Sequence, residues 1–222
     1  MTPEERIRLG NAWLKMGLGE HASVAAFSRF VLQLLGLGAP PDLIRDTIKA
    51  MDDEVQHARL CFGLASEFTG QAVGPGRMNL SNVLEQADDP QSILELAIIE
   101  GCFGETISAA CAKVASERTE DINIRAVILR IAKDESRHAD LSWRSVHWIL
   151  KAYPELRSIA RDAFIHSITH ASPVTHASPV EEDEYDSFEK YGHLSLSSKQ
   201  AITEQVLKQV IRPRMEEIFS SS

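Results

Sequence analysis

Apolar positions recur along the chain at the i, i+3, i+4, i+7 spacing of amphipathic helices, and short Gly- and Pro-rich breaks divide the pattern into segments. A first helix is predicted from residue 3 to about 35, opened by Thr2 with Pro3 in its first turn and closed by Gly36 to Pro41. Its apolar stripe runs through Trp13, Met16, Gly17, Val24, Phe27, Val31 and Leu34. A second helix is expected from about Asp42, as its cap, to Phe68, with Leu43, Thr47, Ala50, Cys61 and Leu64 facing inward. Residues 69 to 90 then form a connection too long for a tight turn, with a short helical turn expected at Asn79 to Gln86. A third helix follows from about Gln91 to Ser116 and a fourth from about Asp121 to Ala152, joined by the turn at 117–120. After Pro154 a fifth helix is expected to about His170, and a last one from about Ser198 to Phe219 with Pro213 as a kink or break. Between these two lie a near-duplicated Pro/Ser/Thr stretch and the acidic run Glu181 to Glu184, which read as loop.

Charged residues interrupt the apolar stripes at a few places. Glu20 falls between Gly17 and Val24, inside the stripe of the first helix. Glu54 and His57 do the same in the second, Glu100 in the third, and Glu135 and His138 in the fourth. Burying a carboxylate without a partner is costly, so each of these needs a proton, a basic neighbour or a metal ion. The pattern Glu-x-x-His occurs twice, at Glu54 to His57 and at Glu135 to His138, and on a helix its first and last residues share a face. The turn at 36–41 lies near the midpoint of Glu20 and Glu54, and the turn at 117–120 near that of Glu100 and Glu135. Folding each pair back as a hairpin therefore brings a glutamate level with a Glu-x-x-His. Thirty-four residues separate the first pair of glutamates and thirty-five the second, an internal repeat of the ligand plan.

Glu105 is the alternative in this set. It is displaced from Glu100 by about 140° on an ideal helix, so both can face one point only across a π-bulge. Hairpin symmetry favours Glu100 and leaves Glu105 as a reserve ligand or proton relay. His21 points away from Glu20 and reads as a rim or core histidine, and His166 with His170 as part of an amphipathic helix. Trp13, Phe27, Phe103, Trp143 and Trp148 read as core.

Composition narrows the function. The 222 residues are 44% hydrophobic and 25% charged, within the range of a globular domain. A formal net charge of -9 argues against nucleic acid or an anionic membrane as a general partner. The three cysteines, Cys61, Cys102 and Cys111, form no CxxC pair and so suggest neither a zinc ribbon, a rubredoxin-type iron site nor a disulfide framework. The start of the chain reads as a capped acidic helix rather than a signal peptide, and no apolar run is long enough to span a bilayer, so a cytoplasmic location is expected. Four carboxylates and two imidazoles are hard to borderline donors, suited to iron or manganese, and four carboxylates cancel the charge of two divalent ions.

Over residues 5 to 150 these motifs resemble the ferritin-like diiron carboxylate superfamily, whose members carry Glu, Glu-x-x-His, Glu, Glu-x-x-His across a four-helix core. The resemblance implies an all-α, ferritin-like four-helix bundle with a long crossover between the second and third helices. Residues 1–152 would form this bundle, and residues 153–222 a C-terminal helical extension packed on the same domain. It further implies two iron ions, with manganese-iron as an alternative. Glu20 and Glu100 would be terminal or bridging ligands, Glu54 and Glu135 would bridge the ions, and His57 and His138 would each bind one. Asp53 and Asp134, directly before the motif glutamates, would either accept a hydrogen bond from a ligand histidine of the opposite motif or face solvent. The activity implied is that of a dioxygen-activating oxygenase or oxidase, a monooxygenase included. Its substrate would be small or carrier-bound, its electrons would come from an external donor, and a homodimer is left open. An iron-handling or peroxide-reducing protein like ferritin or rubrerythrin, and a catalytically silent binding module, are the alternatives.

Overall fold

The computed structural model describes residues 1–81, 89–170 and 186–220. Among them the fold is all-α, with the element order of a ferritin-like bundle: a pair of long helices, a long connection, a second pair, then extra helices. The chain divides into two compact units, Met1–Gln86 and Ala87–Ser222, with the boundary inside the long connection. Residues 79 and 80 are not helical, and the rest of the short turn expected there lies outside the described residues, as do the Pro/Ser/Thr stretch and the acidic run.

The first unit is a hairpin of α1 (Pro3–Gly36) and α2 (Pro41–Thr69). Thr2 and Glu5 form a reciprocal capping box at the start of α1, with bonds of 3.2 and 2.7 Å. Gly38 takes the left-handed conformation (φ +71°) that reverses the chain after α1. Asp42 does not cap α2: the helix begins at Pro41, whose φ is already helical and which has no N–H to satisfy, and Asp42 instead binds Arg45 at 2.8 Å. A Cβ on Gly10 would stand 2.5 Å from Thr69 Cγ2, and one on Gly17 3.0 Å from the Phe62 ring. These two contacts give the helices an antiparallel register and carry Glu20 to the level of His57. Arg6 closes the far end by donating to the carbonyls of Phe68 and Glu67, at 3.0 and 2.5 Å.

In the second unit α3 (Pro90–Leu96) runs on through a π-helical segment, Ala97–Glu105, into α4 (Thr106–Arg118). α5 (Ile122–Ala152) follows after a tight turn, with Asp121 as its cap and Arg125 donating to the Thr119 carbonyl at 2.9 Å. α6 (Arg157–His170) places Phe164, fully buried, against Trp143 of α5 with ring centroids 5.5 Å apart; Phe103 and Phe219 also meet Phe164. The expected last helix is split into α7 (Leu196–Val206), a π turn at Leu207–Ile211, and α8 (Arg212–Ser220). Pro213 has no N–H for the carbonyl one turn back, and its ring would crowd that carbonyl in an α-helix, so the widened turn just before it relieves both problems.

Glu189 ties α7 to the rest of the second unit. Its carboxylate accepts from Ser198 Oγ (2.6 Å), Ser195 Oγ (2.9 Å), Ser195 N (3.1 Å) and Arg118 (2.8 Å). Partial burial opposes ionisation, but the Ser198, Ser195 and Arg118 donors outweigh it and hold the carboxyl down to about 2. The stability this supplies is complete above the ordinary value of 4.5 and is lost as pH falls towards 2. Enclosure, with Lys199 adding to it, holds His193 down to about 3. Between pH 6.5 and 3 the unfolded chain therefore takes a proton that the folded one refuses, which adds to the loss in acid. Glu189→Gln is expected to lower stability by about 1 to 3 kcal/mol at pH 7 and to flatten the acid limb below pH 4.5. Urea unfolding at pH 7, 5 and 3 would show both effects.

Candidate metal centre

Each unit gathers one glutamate and one Glu-x-x-His into a cluster. In the first, α1 supplies Glu20 and α2 supplies Glu54 and His57, which lie on one face because they are three residues apart. Glu54 and His57 are 1% and 0% exposed, deeper than any surface pair. His57 Nδ1 lies 3.5 Å from Glu20 Oε2 and 3.7 Å from Glu54 Oε1. In the second unit, the end of the π segment supplies Glu105 and α5 supplies Glu135 and His138, the last two also buried. His138 Nδ1 lies 3.7 Å from both Glu105 Oε2 and Glu135 Oε2. Within each cluster the donor atoms all lie within 4.8 Å of one another.

This spacing suits a metal ion better than a hydrogen bond. N–H···O bonds span 2.7–3.2 Å, shorter than the four separations above. Two donors each about 2.1 Å from one ion, and set 110–120° apart around it, lie roughly 3.5 Å from each other. The electrostatics agree. Burial alone would depress the basicity of His57, yet the Glu20 and Glu54 carboxylates beside it push it up to about 11. The buried Glu54 and half-buried Glu20 carboxylates thus demand a positive charge, which a proton on His57 or a bound cation can supply. The donor chemistry, two carboxylates and an imidazole per cluster, fits iron or manganese.

Of the residues singled out by spacing, Glu20, Glu54, His57, Glu135 and His138 lie in these clusters. Glu100 does not: it is exposed on the π segment, and Glu105 occupies the place that hairpin symmetry assigned to it. The segment is π-helical from Ala97 to Glu105, the bulge that the spacing of the two acids required, yet only Glu105 reaches His138 while Glu100 stays exposed. A reason was readable. The turn after α4 centres on Glu120, fifteen residues from Glu105 and fifteen from Glu135, so the midpoint rule applied to the actual turn selects Glu105.

Asp134 is buried, but its carboxylate turns to Arg137 of its own helix at 2.8 Å, with Arg130 at 3.9 Å. Asp53 is half-buried on α2. His166 and His170 are exposed, with stacked rings 4.2 Å apart. Trp13, Phe27, Phe103 and Trp143 are core, and Trp148 is half-buried. Among the described residues no helix is long and apolar enough to cross a membrane. No family model matches the chain, and no curated protein or solved structure matches it.

Proposed function

We propose that the two clusters hold the pair of ions of a non-haem diiron protein, and that the protein is a dioxygen-activating oxygenase or oxidase. The observation that carries this is the duplicated set of a half-buried Glu beside a buried Glu-x-x-His, one copy in each unit and each with donor spacing suited to an ion. Glu20, Glu54 and His57 would hold one ion, and Glu105, Glu135 and His138 the other, each histidine through Nδ1. Four carboxylates against two divalent ions leave a neutral centre, which a low-dielectric interior tolerates far better than four bare anions. When bound, an iron pair supplies the electrons and open positions that reduce dioxygen.

The chain's own residues hold this chemistry in place. Thr47 and Cys61, both fully buried on α2, belong to the face that carries Glu54 and His57 and keep it closed to water. Arg137 and Arg130 neutralise Asp134, so the carboxylate next to Glu135 adds no competing charge. The His57 proton that balances Glu20 and Glu54 in the absence of an ion must leave when one binds. The substrate is proposed to be small or carrier-bound, with electrons from an external donor.

Anaerobic titration with iron(II) is expected to saturate at two ions per chain. Admitting air to the loaded protein should then consume dioxygen at about one molecule per two irons, with turnover when a reductant is supplied. Uptake that continues to hundreds of ions would point to storage instead, and no uptake would sink the metal reading.

A further inference from the structure

We infer that Gly101 is a positioning residue for the half-site at His138: because it has no Cβ, the π segment can close on Ser142 and hold Glu105 against His138. The inference rests on the metal-binding reading of the cluster. Its basis is a register. The π segment and α5 meet in two successive rungs, Gly101 with Ser142 and Glu105 with His138. The residues of each helix are four apart, and the order is reversed, as antiparallel packing requires.

The first rung is the tight one. A Cβ built on Gly101 would stand 2.5 Å from Ser142 Oγ and 2.7 Å from Ser142 Cβ. A rotation of Ser142 could remove the Oγ contact, but its Cβ is fixed to the α5 backbone and cannot give way alone. Ser142 Oγ also donates to the His138 carbonyl at 2.9 Å, which links the two rungs along α5. Any side chain at 101 must therefore lever the π segment away from α5, and Glu105, one turn further on, moves with it. By contrast Gly104, next to Glu105, meets only the Ile99 carbonyl, at an ordinary 3.7 Å. The requirement for glycine thus falls on 101 and not on the nearer 104.

The test is a cobalt(II) titration of the full chain, reading stoichiometry, affinity and the visible absorption that reports ligand geometry. Gly101→Ala is expected to weaken the ion at the His138 cluster by about 10- to 100-fold, the range for losing a residue that orients a metal ligand, while the ion at the His57 cluster keeps its affinity. In the Gly101→Ala background, Ser142→Ala should fail to restore the second ion because the Cβ contact remains. Ser142→Gly should restore it, since only Ser142 Cα is then left near the new Cβ, at 3.8 Å. General destabilisation would weaken both ions or neither and would not respond to this pair of second changes.

Two ions at wild-type affinity in Gly101→Ala would overturn the inference. If that variant does not fold, the Gly101→Ala/Ser142→Gly protein decides: recovery of both ions supports the contact, and a folded protein lacking the second ion rules it out. A wild-type protein that takes up no cobalt or iron would defeat the metal reading itself, a result distinct from any variant-specific loss.

Discussion

Glu54→Ala is expected to lower the affinity for iron(II) by more than about 100-fold while the protein stays helical. Losing a residue that merely hydrogen-bonds a metal ligand typically costs 10- to 100-fold, and Glu54 is proposed to be a ligand itself, so the loss should be larger. The same substitution removes one of the two carboxylates that raise His57 to about 11. The sign of the pH dependence follows. At neutral pH, with no ion bound, His57 carries a proton, and an ion can use Nδ1 only after displacing it. Wild-type affinity should therefore rise with pH across the neutral range, with about one proton released from His57 for the ion it binds. In Glu54→Ala the histidine falls back towards its ordinary value, so both proton release and pH slope should shrink. Calorimetric titration in two buffers of different ionisation enthalpy measures the protons directly, and far-UV circular dichroism confirms the fold. Two tightly bound ions in Glu54→Ala, with unchanged proton release, would remove Glu54 from the site.

The parts of the site that could be read from the chain share one property: their geometry is set by a single unbroken α-helix. Glu54 and His57 are three residues apart in the middle of α2, and Glu135 and His138 likewise in α5, so one helical turn dictates that each pair shares a face. Glu20 was equally legible, because α1 keeps its phase from Pro3 to Gly36 and the apolar stripe around Glu20 marks the inward side. The third glutamate was legible only through the midpoint of the turn at Glu120, because the α period that would have marked its inward face fails between Ala97 and Glu105. A π segment depends on packing as much as on local preference, and here the close approach at Gly101 involves Ser142, forty-one residues away in the chain. The same holds near the C-terminal side, where Pro213 was visible as a breaker but the turn that absorbs it was not. The helical class, the hairpins and the long connection are local or nearly local properties. Which of two nearby glutamates faces inward is not, and neither is the burial of Phe164 among Trp143, Phe103 and Phe219.

The pair Glu105→Ala and Glu100→Ala separates the α reading of the third helix from the π geometry, and the two variants should behave oppositely. Glu105 approaches His138 Nδ1 at 3.7 Å with 18% of its side chain exposed, whereas Glu100 is on the outer side of the same segment. Removing the Glu105 carboxylate should leave the His138 half with Glu135 as its remaining acid, and the ion there should weaken by about 100-fold or be lost. The high-affinity stoichiometry would then fall from two ions per chain to one. Glu100→Ala, a substitution at an exposed position, should keep both ions and change stability by no more than about 0.5 kcal/mol. Oxygen consumption should follow the same division, near wild type for Glu100→Ala and collapsed for Glu105→Ala, since a centre with one ion can deliver only half the electrons of the pair. Iron(II) titration under nitrogen, followed by thermal unfolding of each loaded protein, reads both quantities. The reverse pattern, with Glu100→Ala losing an ion and Glu105→Ala keeping two, would return the ligand role to Glu100 and remove Glu105 from the site.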